Sequence, residues 1–109
     1  MEEFSMSHEA TKLVVITEKI LLKEIARIIE SAVSSGYTVI GTGGKGNAKI
    51  RSSGNPSISD TFNYIKLEVV TETPDAAKQI ADEIAKNYFT NYSGTIYREP
   101  VEVLHAHNF

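Results

Sequence analysis

The chain has 109 residues, 41% of them hydrophobic, with a net charge of -3 and no cysteine. That length fits one globular domain burying roughly two-thirds of the surface its unfolded chain exposes, and leaves no room for a second. The missing cysteines exclude disulfides, iron–sulfur clusters, thiolate zinc sites and cysteine nucleophiles, and the acidic balance lacks the electrostatic footprint of a duplex-binding protein, so no nucleic-acid role is expected.

Met1 to Glu9 has no periodicity and is acidic where a secretory signal would be basic and apolar. Residues 1–11 are expected to form a flexible arm and residues 12–109 a single domain. No run approaches the roughly eighteen apolar residues of a membrane span, so no direct membrane insertion is expected. Lys12 to Thr17 (KLVVIT) is short, apolar and β-branched, which predicts a buried first strand. From Glu18 the period changes. Leu21, Leu22, Ile25, Ile28, Ile29 and Val33 recur at helical spacing with Lys23, Glu24, Arg27 and Glu30 opposite, predicting an amphipathic helix with Thr17 as N-cap and Gly36 as C′ glycine.

Tyr37 to Thr42 (YTVIGT) predicts a second strand running into a long connection. Phe62 to Glu72 alternates, with Ile65, Leu67 and Val69 on one face and Tyr64, Lys66, Glu68 and Val70 on the other, and is the expected third strand. Thr73-Pro74 sets an N-cap followed by proline at the first helical position, where its missing N–H is harmless. Ala77, Ile80, Ala81, Ile84, Ala85 and Tyr88 then form the apolar stripe of a second helix ending near Asn91. Thr95 to Arg98 predicts a fourth strand, and Val101 to His105 a short fifth beyond the break at Pro100. The order β-α-β-β-α-β is that of an α+β, ferredoxin-like sandwich with both helices on one face of an antiparallel sheet. Its other face, carrying Tyr64 and Val70, would be costly to leave in water, so an oligomer is expected.

Between Gly41 and Asp60 the sequence reads GTGGKGNAKIRSSGNPSISD, basic and free of acids until its last residue. Glycines let peptide N–H groups approach oxygens, and Lys45, Lys49 and Arg51 supply positive charge on an acidic chain, so an anionic ligand such as phosphate is the first candidate. The bland reading is a long hairpin connection kept soluble by its charge. Gly41, Gly43 and Gly46 spell the dinucleotide fingerprint, but no helical period follows them and Gly54-Asn55-Pro56 intervenes. The Walker A pattern fails as well, because Lys45 precedes Gly46 rather than Ser or Thr.

His105 and His107 could reach one side of a strand and ligate a metal with His8 or a carboxylate, but an exposed polar tail is the simpler reading, and no metal ligand set is assigned. Tyr88 and Phe89 read as core, which leaves Tyr92-Ser93-Gly94 as the looser, more ligand-like element. No Ser-His-Asp or paired-carboxylate arrangement follows from spacing, so no catalytic residue is assigned.

Thr17-Glu18-Lys19-Ile20, Gly36-Tyr37-Thr38-Val39, Thr42-Gly43-Gly44-Lys45-Gly46, Arg51-Ser52-Ser53-Gly54 and Tyr92-x-Gly94-x-Ile96-Tyr97, in that order, resemble the PII-like SbtB proteins. The likeness spans Lys12 to about Leu104. It implies a cytoplasmic homotrimer with inward-turned sheet faces and inter-subunit clefts that bind the adenine nucleotides AMP, cyclic AMP, ADP or ATP as effectors, with no permanently bound cofactor. It also implies a T-loop, here about residues 43–61, that contacts a membrane bicarbonate transporter of the carbon-concentrating mechanism and recruits the protein peripherally to the inner membrane.

Carried over residue by residue, the resemblance puts Gly43, Gly44, Lys45 and Gly46 beside the nucleotide at the loop base and Arg51 on its phosphates. Gly94 falls where a neighbouring subunit's backbone meets adenine and ribose, and Ser52, Ser53, Gly54, Asn55, Pro56 and Ser57 fall at the partner-binding tip. A second basic position near the phosphate in some relatives is Ala48 here, with Lys49 adjacent; a flexible ammonium would not reproduce bidentate guanidinium binding. Some members carry a C-terminal extension with paired cysteines linked to redox response and nucleotide hydrolysis. This chain stops at Phe109 without one, so a sensor and not an enzyme is expected. The alternatives are a divalent-metal-responsive trimer resembling the divalent-cation-tolerance proteins, in which His105 and His107 would matter, or a nucleotide hydrolase.

Overall fold

The computed structural model describes residues 7–34, 36–42 and 63–107. Strands β1 (His8–Glu18), β2 (Tyr37–Thr42), β3 (Tyr64–Thr71) and β4 (Gly94–Val103) form one antiparallel sheet in the order β2-β3-β1-β4. Helices α1 (Leu22–Ala32) and α2 (Pro74–Tyr88) complete the ferredoxin-like order. Alternation sends Leu13, Val15, Ile65, Leu67 and Val69 to the helix-covered face, where they form one core with Ile25, Ile28 and Ile29 of α1 and Ala77, Ile80 and Ile84 of α2.

The helices start differently. At α2 the Thr73 hydroxyl accepts the Ala76 N–H at 3.0 Å with Pro74 next in line, as the sequence predicts. At α1 the expected cap is corrected. Thr17 is fully buried inside β1, a 3-10 turn over Lys19–Leu21 precedes the helix, and no side chain caps it. One orphan donor of that entry, the Lys19 N–H, instead meets the Asn63 carbonyl at 2.8 Å, just ahead of β3. Gly36 does not close α1 either: the helix gives way to extended backbone at Val33, whose N–H still reaches the Ile29 carbonyl.

Two strand boundaries also differ from expectation. β1 begins at His8, so residues 8–11, placed by their sequence in the arm, are paired with β4. The two strands predicted around Pro100 are one, with Pro100 opposite Thr11. A proline lacks the ladder N–H, but β4 lies at an edge of this sheet, where one side of the strand needs no partner.

The face away from the helices is less apolar than its alternation suggests. Val14 lies there fully buried, flanked by its cross-strand partners Glu68 and Tyr97. Lys12 and Glu99 pair at 3.2 Å, and Lys66 and Glu68 at 3.3 Å, so charged heads stay wet above aliphatic stems. Tyr64 is only 9% exposed within the single chain and Val70 is half-buried. The exposed apolar side chains that would favour a partner are Ile40 on β2 and Tyr97 on β4.

Candidate functional site at the Gly94 corner

Three parts of the chain converge where β1 ends. Thr17 is the ladder partner of Gly94, and Glu18 that of Tyr64, whose other neighbour is Thr42. Thr42 is the last residue before the basic, glycine-rich segment and Asn63 the first described after it, so both flanks of that segment lie at the same end of the sheet as the start of β4, with Thr42 on the opposite edge beyond β3 and β1.

Short hydrogen bonds hold the turn before β4 against β1. The Thr17 hydroxyl donates to the Ser93 carbonyl at 2.7 Å, and the Ser93 N–H donates to the Glu18 carboxylate at 2.7 Å. Both peptide units flanking Ser93 are thereby fixed by consecutive residues of a strand far earlier in the chain. The turn is also tied back to α2, with the Asn91 and Tyr92 N–H groups both on the Tyr88 carbonyl.

Gly94 is required by close approach. A Cβ built there would lie 2.4 Å from the Phe89 ring and 2.9 Å from the Ile16 carbonyl oxygen, and the second of these is backbone that cannot swing away. Tyr88 and Phe89 pack on the core, as predicted, while Tyr92 is exposed next to the clamped turn. The arrangement offers backbone edges and a tyrosine face, groups that suit a flat heterocycle.

Of the residues proposed from sequence, Gly94 is described and sits at this corner. Gly43, Gly44, Lys45, Gly46, Lys49 and Arg51, and the expected tip Ser52, Ser53, Gly54, Asn55, Pro56 and Ser57, lie outside the described residues. Sequence reasoning misses the clamp of Thr17, Glu18 and Ser93, because Thr17 reads as a helix cap and nothing local gives Glu18 a partner. The available signal is a Thr-Glu pair closing an apolar strand, where a polar residue that becomes buried must find a partner.

His8, His105 and His107 come together elsewhere, around a groove at the opposite end of the sheet. Among the described residues no group of three or more histidine or carboxylate side chains could hold a metal ion. Nor is any helix among them long and apolar enough to cross a membrane.

Residues 10–106 match the family described as Nitrogen regulatory protein P-II. Among solved structures, one described as a PII-like signalling protein from Thermus thermophilus is 24% identical, with a TM-score of 0.70 over 89% of this chain and 91% of that one. CPII from Thiomonas intermedia, in a structure bound to ADP and bicarbonate, is 19% identical, with a TM-score of 0.70 over 93% and 94% of the two chains. A further CPII structure, bound to ADP, AMP and bicarbonate, is 17% identical, with a TM-score of 0.66 over 90% and 96%. At these identities the likeness establishes a common fold.

Proposed function

This chain belongs to the nitrogen regulatory protein P-II family, and on that premise we propose that it is an adenine-nucleotide sensor that regulates a membrane bicarbonate transporter through residues 43–61. The observation that supports the reading is that the flanks of the basic segment and the clamped Ser93-Gly94 turn lie at the same end of the sheet, on either side of the end of β1. ADP and AMP in the CPII structures support the ligand class, and the bicarbonate there fits a role in inorganic-carbon signalling.

In this proposal the protein is a homotrimer, and each nucleotide lies in a cleft between subunits. Gly43, Gly44 and Gly46 present N–H groups to the phosphates, with charge from Lys45, Lys49 and Arg51. Gly94 lends backbone to the adenine and ribose of the neighbouring cleft. Residues Ser52 to Ser57 dock on the transporter, so the protein works in the cytoplasm and reaches the membrane through its partner. A ligand shifts docking only by its different affinity for the docked and free states, so AMP, cyclic AMP, ADP and ATP act differently through their phosphates. The role is signalling, with no turnover of the nucleotide.

Calorimetry with each of the four nucleotides tests the reading, screened first by thermal shift. A ligand at a hundredfold over its dissociation constant stabilises the fold by about 2.7 kcal/mol. Arg51→Ala is expected to weaken ADP and ATP about tenfold or more by removing a charge-assisted contact of roughly 1.5–3 kcal/mol. Unchanged affinity for every nucleotide in that variant would remove Arg51 from the site, and silence of the wild-type chain toward all four would overturn the sensor.

A further inference from the structure

β4 ends the sheet on the side away from β2, so one row of its backbone groups meets no neighbouring strand. Pro100 tells which row that is. A proline has no N–H to give to β1, so it belongs where that group would face outward, and it stands opposite Thr11 in the ladder. In an antiparallel pair such outward positions alternate with positions that bond the neighbouring strand. The β1–β4 register is unbroken from Gly94 to Val103, so the peptide N–H and carbonyl of Arg98 and of Ile96 face outward as well.

Their side chains lie on the helix-covered face. Ile96 is the ladder partner of Val15 and Arg98 that of Leu13, both core residues. Between this edge and α2 runs an open groove of about 170 Å³, floored by Leu13 and Ala77 and bounded by Ala81, Lys78, Ile96 and Arg98. Two alanines one helical turn apart leave the gap that larger side chains would fill. The cations at its mouth are not equally engaged. Lys78 pairs with Asp82 at 2.7 Å, whereas among the described residues Arg98 has no carboxylate partner and spends one N–H on the Pro74 carbonyl at 2.8 Å. Glu99 is turned to the other face, where it holds Lys12.

We infer that β4 is a docking edge for an extended segment of a partner protein that carries an apolar residue and, two positions away, an aspartate or glutamate. Strand addition of this kind gains its hold from main-chain hydrogen bonds, here to Ile96 and Arg98, and its specificity from pockets for alternate side chains. Residues two apart in an extended segment share a face at a spacing of about 7 Å. The apolar side chain that enters the groove beside Ile96 therefore sets the acid beside Arg98, whose remaining donors suit a carboxylate. The other edge strand of this chain, β2 (YTVIGT), has no carboxylate, so a second copy does not meet the requirement through its own free edge. The inference stands on register and charge at β4 and is independent of the nucleotide reading.

The test uses the full chain and a fluorescent nine-residue threonine peptide carrying one leucine and, two positions away, one aspartate, followed by fluorescence polarization. A second peptide of the same composition has its aspartate next to the leucine, on the opposite face. The first peptide is expected to bind at least about tenfold more tightly than the second. Arg98→Gln, which keeps a donor for the Pro74 carbonyl, is expected to weaken the first peptide about tenfold and to remove the difference between the two. Ala81→Leu, which fills the groove, is expected to weaken both, and an unchanged thermal midpoint verifies that each variant folds. In hydrogen exchange, the Ile96 and Arg98 amides are expected to be unprotected in the protein alone and slowed at least tenfold by the first peptide. Equal affinity for the two peptides, no binding of the first up to about 1 mM, or undiminished binding by Arg98→Gln overturns the site. Protection of both amides without peptide also overturns it, because the edge would then already be covered by another copy.

Discussion

The two ends of this sheet are built on opposite principles. At the Gly94 corner, a buried threonine, a carboxylate and a glycine with no room for a methyl group fix one turn through short hydrogen bonds. At the histidine end the side chains are exposed and the backbone leaves the ladder. A turn fixed in this way would lose little ordering entropy on binding a ligand. The contrast is between a turn fixed by hydrogen bonds within the chain and a segment of exposed side chains without regular secondary structure.

Adding a methyl group at the rigid end is the largest perturbation that would break this contrast. Gly94→Ala forces its Cβ against the Phe89 ring and the Ile16 carbonyl, and overpacking of this kind costs about 1–3 kcal/mol. Thermal unfolding should shift down by several degrees, since about 1 kcal/mol corresponds to roughly 4–8 °C in a domain near this size. Phe89→Leu in the same chain is expected to return only part of the loss, because the Ile16 oxygen remains. A Gly94→Ala protein as stable as the wild type would show that the turn is looser than its hydrogen bonds imply.

Next comes Thr17→Val, which keeps the shape of the side chain and removes the donor to the Ser93 carbonyl. An unsatisfied buried acceptor costs about 1–3 kcal/mol, and Ser93 is only half-buried, so about 1–2 kcal/mol is expected in urea denaturation. Glu18→Ala should cost about 1 kcal/mol while Glu18→Gln, which retains an acceptor for the Ser93 N–H, recovers most of it. Equal losses in the Ala and Gln variants would mean that the carboxylate acts by charge and not by holding the turn.

These residues also mark what can be read from the sequence and what cannot. Periodicity makes both helices and the core face of β3 legible, and Thr73-Pro74 announces the start of α2 through chemistry local to four residues. The resemblance in motif order anticipates the broader P-II family. Thr17 misleads because a threonine between a strand and a helix looks like a cap, while its real partner is Ser93, far along the chain. Pro100 misleads for a related reason: a proline breaks an interior strand, and only the sheet order reveals that β4 is an edge. The resemblance selects Gly94 for a ligand's sake, yet the Phe89 ring and Ile16 carbonyl already demand a glycine within the chain. The two demands are compatible, but they make Gly94 a poor probe of nucleotide binding alone.

At the histidine end the same logic predicts little structural effect. Replacing His8, His105 and His107 together by Ala should change stability by less than about 0.5 kcal/mol, the ordinary range for exposed positions. A large loss in the triple variant would mean that these side chains support the fold, and the contrast between the two ends would fail.

The smallest expected effect lies between the ends, on the face away from the helices. Lys12 is held above its ordinary pKa of 10.5, first by its hydrogen bond to Glu99 and then by the charge of Glu68. A raised value means that the folded chain holds this proton more tightly than the unfolded one, so the contribution is complete below about pH 10.5 and is lost as pH rises through the folded value. Tyr37 is shifted up from 10.0 by its hydrogen bond to the Glu30 carboxylate and loses its contribution in the same direction. The two are separable by substitution. Glu99→Gln should flatten the alkaline decline only in the part due to Lys12, and Tyr37→Phe only in the part that begins near pH 10. Because Lys12 is a surface group the difference will be small, best read as the change in unfolding midpoint between about pH 9 and about pH 11.5. If Glu99→Gln left that slope unaltered while Tyr37→Phe abolished it, the ion pair would contribute nothing to stability at alkaline pH.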